Sequence, residues 1–319
     1  MLSTMPLELA LESHRRELTG YCYRMLASPF EAEDAVQETL LRAWRSHERF
    51  EGRSSLRSWL YRIATNVCLD MLTGRERRAR PMDLGPAQEP LERNLNMRSE
   101  TTWLQPIPDS LVAPDDPAEA AVVRDTIRLA FIAALQHLPP RQRAVLILCE
   151  VLRFEASEAA QQLDTTVASV NSALQRARAT LAERDTGTVS ELDEPTRELL
   201  DRFVDAFQDY DVERLTALIR EDVTQSMPPF DLWLDGRDDV LDWWFGVGIG
   251  CSGSRLLPAP AANGLPAYGQ YKPAEDGGYD PWALVVVDPG AGGIREFTFF
   301  LEVQTLFPLF ALPERIEPS

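Results

Sequence analysis

The stretch Arg53-Ser54-Ser55-Leu56-Arg57-Ser58-Trp59-Leu60-Tyr61-Arg62-Ile63-Ala64-Thr65-Asn66-Val67-Cys68-Leu69-Asp70 carries two patterns at once. Leu56, Leu60, Ile63, Val67 and, just beyond, Met71 recur at helical spacing and predict one buried helix face. Ser54-Ser55 supplies the start signal, and the pattern ends at Gly74, ahead of Arg75-Glu76-Arg77-Arg78-Ala79-Arg80. Arginines interleaved with Trp59 and Tyr61 are what a surface needs to neutralise phosphates and offer flat faces to unstacked bases. The spacing alone serves a solvated arginine face and a core Trp59 equally well.

Toward the N-terminus, Val36, Leu40, Ala43 and Trp44 predict an earlier amphipathic helix that opens on Glu31-Ala32-Glu33-Asp34-Ala35-Val36-Gln37-Glu38. Acids at its start complement the helix dipole, but Gln37 and Glu38 lie a turn further on, where that effect has faded. Residues 7–80 therefore read as a small helical bundle. Pro81, Pro86, Pro90, Pro106, Pro108, Pro114 and Pro117 exclude a long helix from the next stretch, which reads as a linker. Helical pattern returns with Ile127, Phe131, Ala134 and Leu138, breaks at Pro139-Pro140, and resumes over 141–152. Two short helices near 155–163 and 166–183 then suggest helix-turn-helix. In the last of these, Val167, Val170, Leu174 and Ala177 are expected to be buried, leaving Ser169, Asn171, Ser172, Gln175 and Arg176 outside.

EAEDAVQE followed by SSLRSWLYRIATNVCLD closely resembles region 2 of the extracytoplasmic-function sigma factors of bacterial RNA polymerase. LPPRQRAVLILCEVL with AQQLDTTVASVNSALQRAR is similar to their region 4. The resemblance implies core polymerase and promoter DNA as partners. It places Asp34, Gln37 and Glu38 on the polymerase, and Arg53, Arg57, Trp59, Arg62 and Asn66 on the −10 element that is melted. Thr166, Ser169, Asn171 and Ser172 become −35 groove residues with Gln175 beside them, and Arg176 and Arg178 phosphate contacts. The linker phrase Thr101-Thr102-Trp103-Leu104-Gln105-Pro106-Ile107-Pro108-Asp109 resembles a subgroup with a C-terminal extension. In such factors the linker threads the polymerase channel, where Asp109, Asp115 and Asp116 would mimic nucleic acid. Two positions depart from the family: Arg153 stands where a glycine usually ends a helix, and Gln162 replaces an apolar residue.

After Thr186-Gly187 the character changes. Leu199, Leu200, Phe203, Ala206 and Phe207 mark a helix, with further helices over 215–219 and 240–245. Ala283–Val287 and the alternation through Phe297, Phe299, Leu301 and Val303 predict strands. Phe203-Val204-Asp205-Ala206-Phe207, Asp211-Val212-Glu213-Arg214-Leu215, Met227-Pro228-Pro229 and Gly236-Arg237-Asp238 resemble the SnoaL-like branch of the NTF2-like cone fold. The expected architecture is multidomain. It has two all-α sigma domains, a region 2 bundle at 7–80 and a region 4 helix-turn-helix at 118–184, joined by a linker at 81–117. An α+β cone-shaped NTF2-like domain follows at 194–319.

Charge separates the parts. Residues 1–184 carry 23 Arg against 25 Asp and Glu, and residues 185–319 carry 8 Arg and 1 Lys against 25, so the net values are −2 and −16. Only the first part can offer basic patches to a polyanion. The acidic domain would suit a basic surface such as the tract Arg75–Arg80, a contact in cis that tunes activity. The three histidines, at 14, 47 and 137, all precede it, which excludes a His-dependent dyad, triad or metal site there. A carboxylate base with Tyr268, Tyr271 or Tyr279 stays open, as does a small-molecule ligand among Trp233, Trp243, Trp244 and Phe245. Cys22, Cys68, Cys149 and Cys251 stand singly, so no disulfide framework, metal site or cofactor is expected. No apolar run reaches the ~18 residues of a membrane span, and the N-terminus lacks a signal-peptide pattern, so a cytoplasmic protein is expected. The apolar run Leu306–Pro313 should dock, on its own sheet or elsewhere. A non-enzymatic sigma factor is the reading; a helix-turn-helix regulator acting alone and a SnoaL-type enzyme with attached DNA-binding regions are its rivals.

Overall fold

The computed structural model describes residues 6–50, 55–114, 116–183 and 193–318. Arg53 and Asp115 lie outside them. The chain divides into two compact units, Met1–Arg78 with Leu104–Gly187, and Ala79–Trp103 with Thr188–Ser319.

In the helical unit, α1 (Leu7–Glu12), α2 (Arg15–Leu26), α3 (Pro29–Ser46) and α4 (Leu56–Leu72) come first. The Ser28 side chain caps α3 by accepting from the Glu31 N–H, and Pro29 presets the first turn. Ser55 caps α4 in the same way through the Ser58 N–H at 3.0 Å. Ala32, Ala35, Val36 and Ala43 of α3 meet Leu60, Tyr61, Ala64 and Val67 of α4 around Leu18, Tyr21 and Met25 of α2. Trp44, expected in the buried stripe, is 50 % exposed. It sits one residue past buried Ala43, about 100° further round the helix, and so turns off the core face.

The same apolar core continues through α6 (Leu129–Gln136), α7 (Pro140–Leu146), α8 (Ala156–Gln162) and α9 (Val167–Ala182), with α5 (Pro117–Ile127) leading in. Regions 2 and 4 thus share one interior. The helix expected over 141–152 stops at Leu146 and widens into a π-turn at Ile147–Val151. Arg153 takes the left-handed backbone, φ 60°, that the family's usual glycine would adopt without a Cβ penalty.

The linker is not a free connection. Leu104, Ile107 and Val112 are buried in the helical core. Gln105 fastens this segment, its N–H donating to the Ala27 carbonyl at 3.1 Å, while its own carbonyl accepts from the Tyr23 hydroxyl at 2.9 Å. The earlier part belongs to the other unit, where the Trp233 indole donates to the Gly85 carbonyl and Arg98 pairs with Asp231. Prolines strip donors from the strap, so its polar groups are satisfied by neighbours instead of by a ladder of its own.

That second unit wraps α10 (Glu194–Asp209), α11 (Val212–Leu218) and α12 (Arg237–Phe245) against a six-stranded sheet. The strands are β1 (Ile219–Ser226), β2 (Trp233–Asp235), β3 (Arg255–Ala262), β4 (Leu265–Pro273), β5 (Tyr279–Gly290) and β6 (Gly293–Phe300), in the order β2-β1-β6-β5-β4-β3. Among the described strands of this sheet, only β1 and β6 pair in parallel. Phe203, Phe207, Trp244 and Phe297 stack in its core. The strand expected to run through Val303 ends at Phe300, and Val303–Leu309 forms α13 instead. Leu306, Phe307, Phe310 and Leu312 are buried, with Phe307 against Tyr271 and Leu312 over Gly269, so the apolar tail closes the outer face of its own sheet.

Candidate polymerase and nucleic-acid interface

Asp34 and Gln37 are exposed on α3, with Glu38 half-buried beside them. Gln37 donates to Glu33 at 3.0 Å and Arg42 to Glu38 at 2.6 Å, one turn apart in each case. Glu31 is turned away from this face, accepting from Arg75 and from Arg78 at 3.0 Å. The basic tract is therefore largely engaged at home: Arg77 contacts His137, and Arg80 pairs with Asp83.

The −10 candidates on α4 separate. Trp59, Arg62 and Asn66, spaced i, i+3 and i+7, share one face. Trp59 is half-buried against Phe50, ring centroids 4.9 Å apart. Arg62 is exposed, and its Nη2 alone donates to both oxygens of Asp164, at 2.7 and 3.0 Å. Asn66 is exposed. Arg57 points elsewhere. Its Nε donates to Glu17 at 2.8 Å, and its guanidinium lies 4.7 Å from the Phe154 ring centroid and 5.0 Å from that of Tyr61. Asp164 sits in the turn between α8 and α9, so in this arrangement the turn of region 4 lies on the face of region 2 assigned to the −10 element.

Glu17 gathers His14, Arg57 and Tyr61. Burial pushes its carboxyl up, yet the His14 and Arg57 hydrogen bonds outweigh that and hold it below the ordinary 4.5. A carboxyl depressed by folding stabilises the native state above its unfolded value, and that contribution is lost as pH falls through the lower folded value. Glu17→Gln is therefore expected to flatten the stability loss of the full chain between about pH 5 and about pH 3. Equal acid slopes in urea unfolding of wild type and variant would reject this role.

In region 4, Thr166 caps α9 through the Ser169 N–H at 3.1 Å. Ser169, Asn171, Ser172, Gln175, Arg176 and Arg178 are all exposed, Val170 and Ala177 are buried, and Leu174 is half-buried. Val167, expected in the buried stripe, is 43 % exposed, because α9 turns its core face inward only from Val170. Arg176 donates to Ser172 at 2.6 Å, and Arg178 to Glu150 at 3.1 Å. Gln162 is buried with neither amide atom paired among the described residues, a cost of about 1–3 kcal/mol that the family's apolar residue avoids.

Trp243 and Trp244 are core, the latter donating to Gln225 at 2.6 Å. Burial pushes the Tyr268 and Tyr271 hydroxyls up to about 12, and Tyr271 is bound to the Pro313 carbonyl. Among the described residues no three His, Cys, Asp or Glu side chains converge as a metal site, and no helix is long and apolar enough to cross a membrane.

The chain matches known protein families over both helical regions. The Sigma-70 region 2 model matches residues 10–78 and the Sigma-70 region 4 model residues 128–181. The ECF RNA polymerase sigma factor SigG of Mycobacterium tuberculosis is 43 % identical over 311 residues, covering 96 % of this chain and 83 % of that protein. The chain belongs to the ECF sigma factors. SigW of Bacillus subtilis is 28 % identical over 174 residues, covering 54 % of this chain and 86 % of that protein. This sigma factor also matches the crystal structure of M. tuberculosis SigJ with TM-score 0.60 at 21 % identity, over 96 % of this chain and 99 % of that one. That likeness extends through the C-terminal sheet domain and shows its fold.

The resemblance read in the sequence thus holds for family, fold class and function. Glu17, Phe154 and Asp164, which engage the α4 arginines, were not legible in the sequence. Asp164 reads there as an ordinary turn residue, and nothing in the polar run around Glu17 marks it.

Proposed function

We propose that this sigma factor docks on core polymerase through the exposed Asp34, Gln37 and Glu38 face of α3, reads the −35 element with α9, and opens the −10 element on α4. Arg57, Trp59, Arg62 and Asn66 act there, with Arg53 at the start of the same segment. The observation that supports this reading is the Arg62–Asp164 pair, which joins the −10 face to the helix-turn-helix turn in the free chain. DNA on α4 and Asp164 on Arg62 compete for one guanidinium, so promoter binding requires the two regions to part. Binding energy from polymerase supplies that separation, and free DNA binding is weak. The protein works beside core polymerase in the cytoplasm.

The SnoaL-like domain acts without catalysis, as a regulator in cis. Its hold on the strap 79–103, through Trp233–Gly85 and Arg98–Asp231, supports this role. The test is reconstitution of the full chain with bacterial core polymerase, followed by transcription from a genomic promoter library. Co-elution and initiation at defined sites are expected, together with an altered output when residues 190–319 are removed or when Trp233 and Arg98 are both changed to alanine. Failure to engage polymerase rejects the docking assignment. Unchanged output in both variants rejects regulation by the C-terminal domain.

A further inference from the structure

Val167 is the first residue of α9 and stands 43 % exposed, next to exposed Ala168. Asn171 and Gln175 follow it at i+4 and i+8, both exposed, so the four line one stripe, while buried Val170 and Ala177 turn toward the core. Capping does not need a valine here, since Thr166 does that work, and a β-branched residue is no strong helix former. An apolar side chain at the leading edge of a groove-entering helix therefore asks for an apolar partner on the DNA.

The rest of the stripe narrows that partner. From Asp164 through Gln175 there is neither Arg nor Lys, so this half of the helix has no guanidinium or ammonium for guanine O6 and N7. Carboxamides match the N6 donor and N7 acceptor of adenine, and the one feature of the major groove that suits a valine is the thymine 5-methyl group. Two of the hydroxyls are already engaged, Thr166 in capping and Ser172 in accepting from Arg176.

We infer that Val167 reads a thymine methyl in the −35 element and that Asn171 reads an adenine close to it. Four residues of helix advance about 6 Å, against about 3.4 Å per base step, which puts the two bases within about two steps of each other. The inference rests on α9 being the −35 reading helix.

The experiment uses holoenzyme formed from the full chain and core polymerase, first selecting initiating sequences from a promoter library randomised across the −35 region. At each selected thymine, uracil is then substituted, which removes only the methyl group. Wild type is expected to lose about fivefold to tenfold in promoter affinity at one such position. Val167→Ala should bind thymine and uracil templates there alike, and Asn171→Ala should lose about tenfold of its discrimination at a nearby adenine while keeping the thymine preference. Equal melting temperatures check that the exposed substitutions leave the fold intact. A thymine preference that survives Val167→Ala, or a selected element without thymine, overturns the inference alone. Holoenzyme that selects no −35 element, or whose selection is untouched by any α9 substitution, overturns the assignment of α9 as well.

Discussion

Arg143→Ala is expected to cost the helical unit about 3–5 kcal/mol. Arg143 is 3 % exposed and has no carboxylate partner among the described residues. Its Nε donates to the Leu135 carbonyl at 2.9 Å, Nη1 to the Met25 carbonyl and to the Gln136 side chain at 2.6 Å, and Nη2 to the carbonyls of Gln136 and Leu138, both at 3.2 Å. The carbonyls at the end of α6 and near the end of α2 are groups that a helix cannot satisfy by itself. Removing the guanidinium leaves several of them buried without donors, at about 1–3 kcal/mol each before relaxation, and opens a void. Burial lowers the Arg143 pKa to about 10, so the group stays charged at neutral pH. Arg143→Lys should recover less than half of the loss, because one ammonium cannot reproduce a planar fork. Urea unfolding of the full chain measures both variants, and a loss under about 1 kcal/mol for alanine would mean that water replaces the fork.

The double reversal Asp34→Arg with Glu38→Arg should weaken binding to core polymerase about 100-fold, close to 2.7 kcal/mol. Asp34 is exposed with no ion pair among the described residues, and Glu38 gives up only a surface pair with Arg42, so folding stability should move by less than about 1 kcal/mol. The separation of the two readouts identifies docking: affinity falls in a competition assay for polymerase while the melting temperature holds. Unchanged affinity would remove α3 from the interface, and parallel loss of affinity and melting temperature would mean a damaged helix.

Which side chains of α4 and α9 are exposed follows largely from the sequence alone. The recurrence of Leu56, Leu60, Ile63, Val67 and Met71 marks the inward side of α4, where Leu60 and Val67 are buried and the other three half-buried, and so puts Arg62 and Asn66 outside. The exposure of Ser169, Asn171, Ser172, Gln175 and Arg176 follows from the same argument on α9. The argument fails at element ends, as with Trp44 and Val167, because periodicity says which way a side chain points but not whether anything stands opposite. It fails also for the strap: prolines announce the absence of a helix, and say nothing of whether the segment packs.

Local spacing and residue chemistry determined the helices, their faces, the family and the charge contrast between the two parts, since each depends on neighbours a few residues away. Tertiary structure decided that Arg62 spends its charge on Asp164, that Glu17 orients Arg57, that Arg143 closes the end of α2, and that the linker divides between two units. These contacts join residues 40 to 118 positions apart, where the pairing is chosen by the shape of the whole core and by which buried carbonyls and carboxylates still lack a donor.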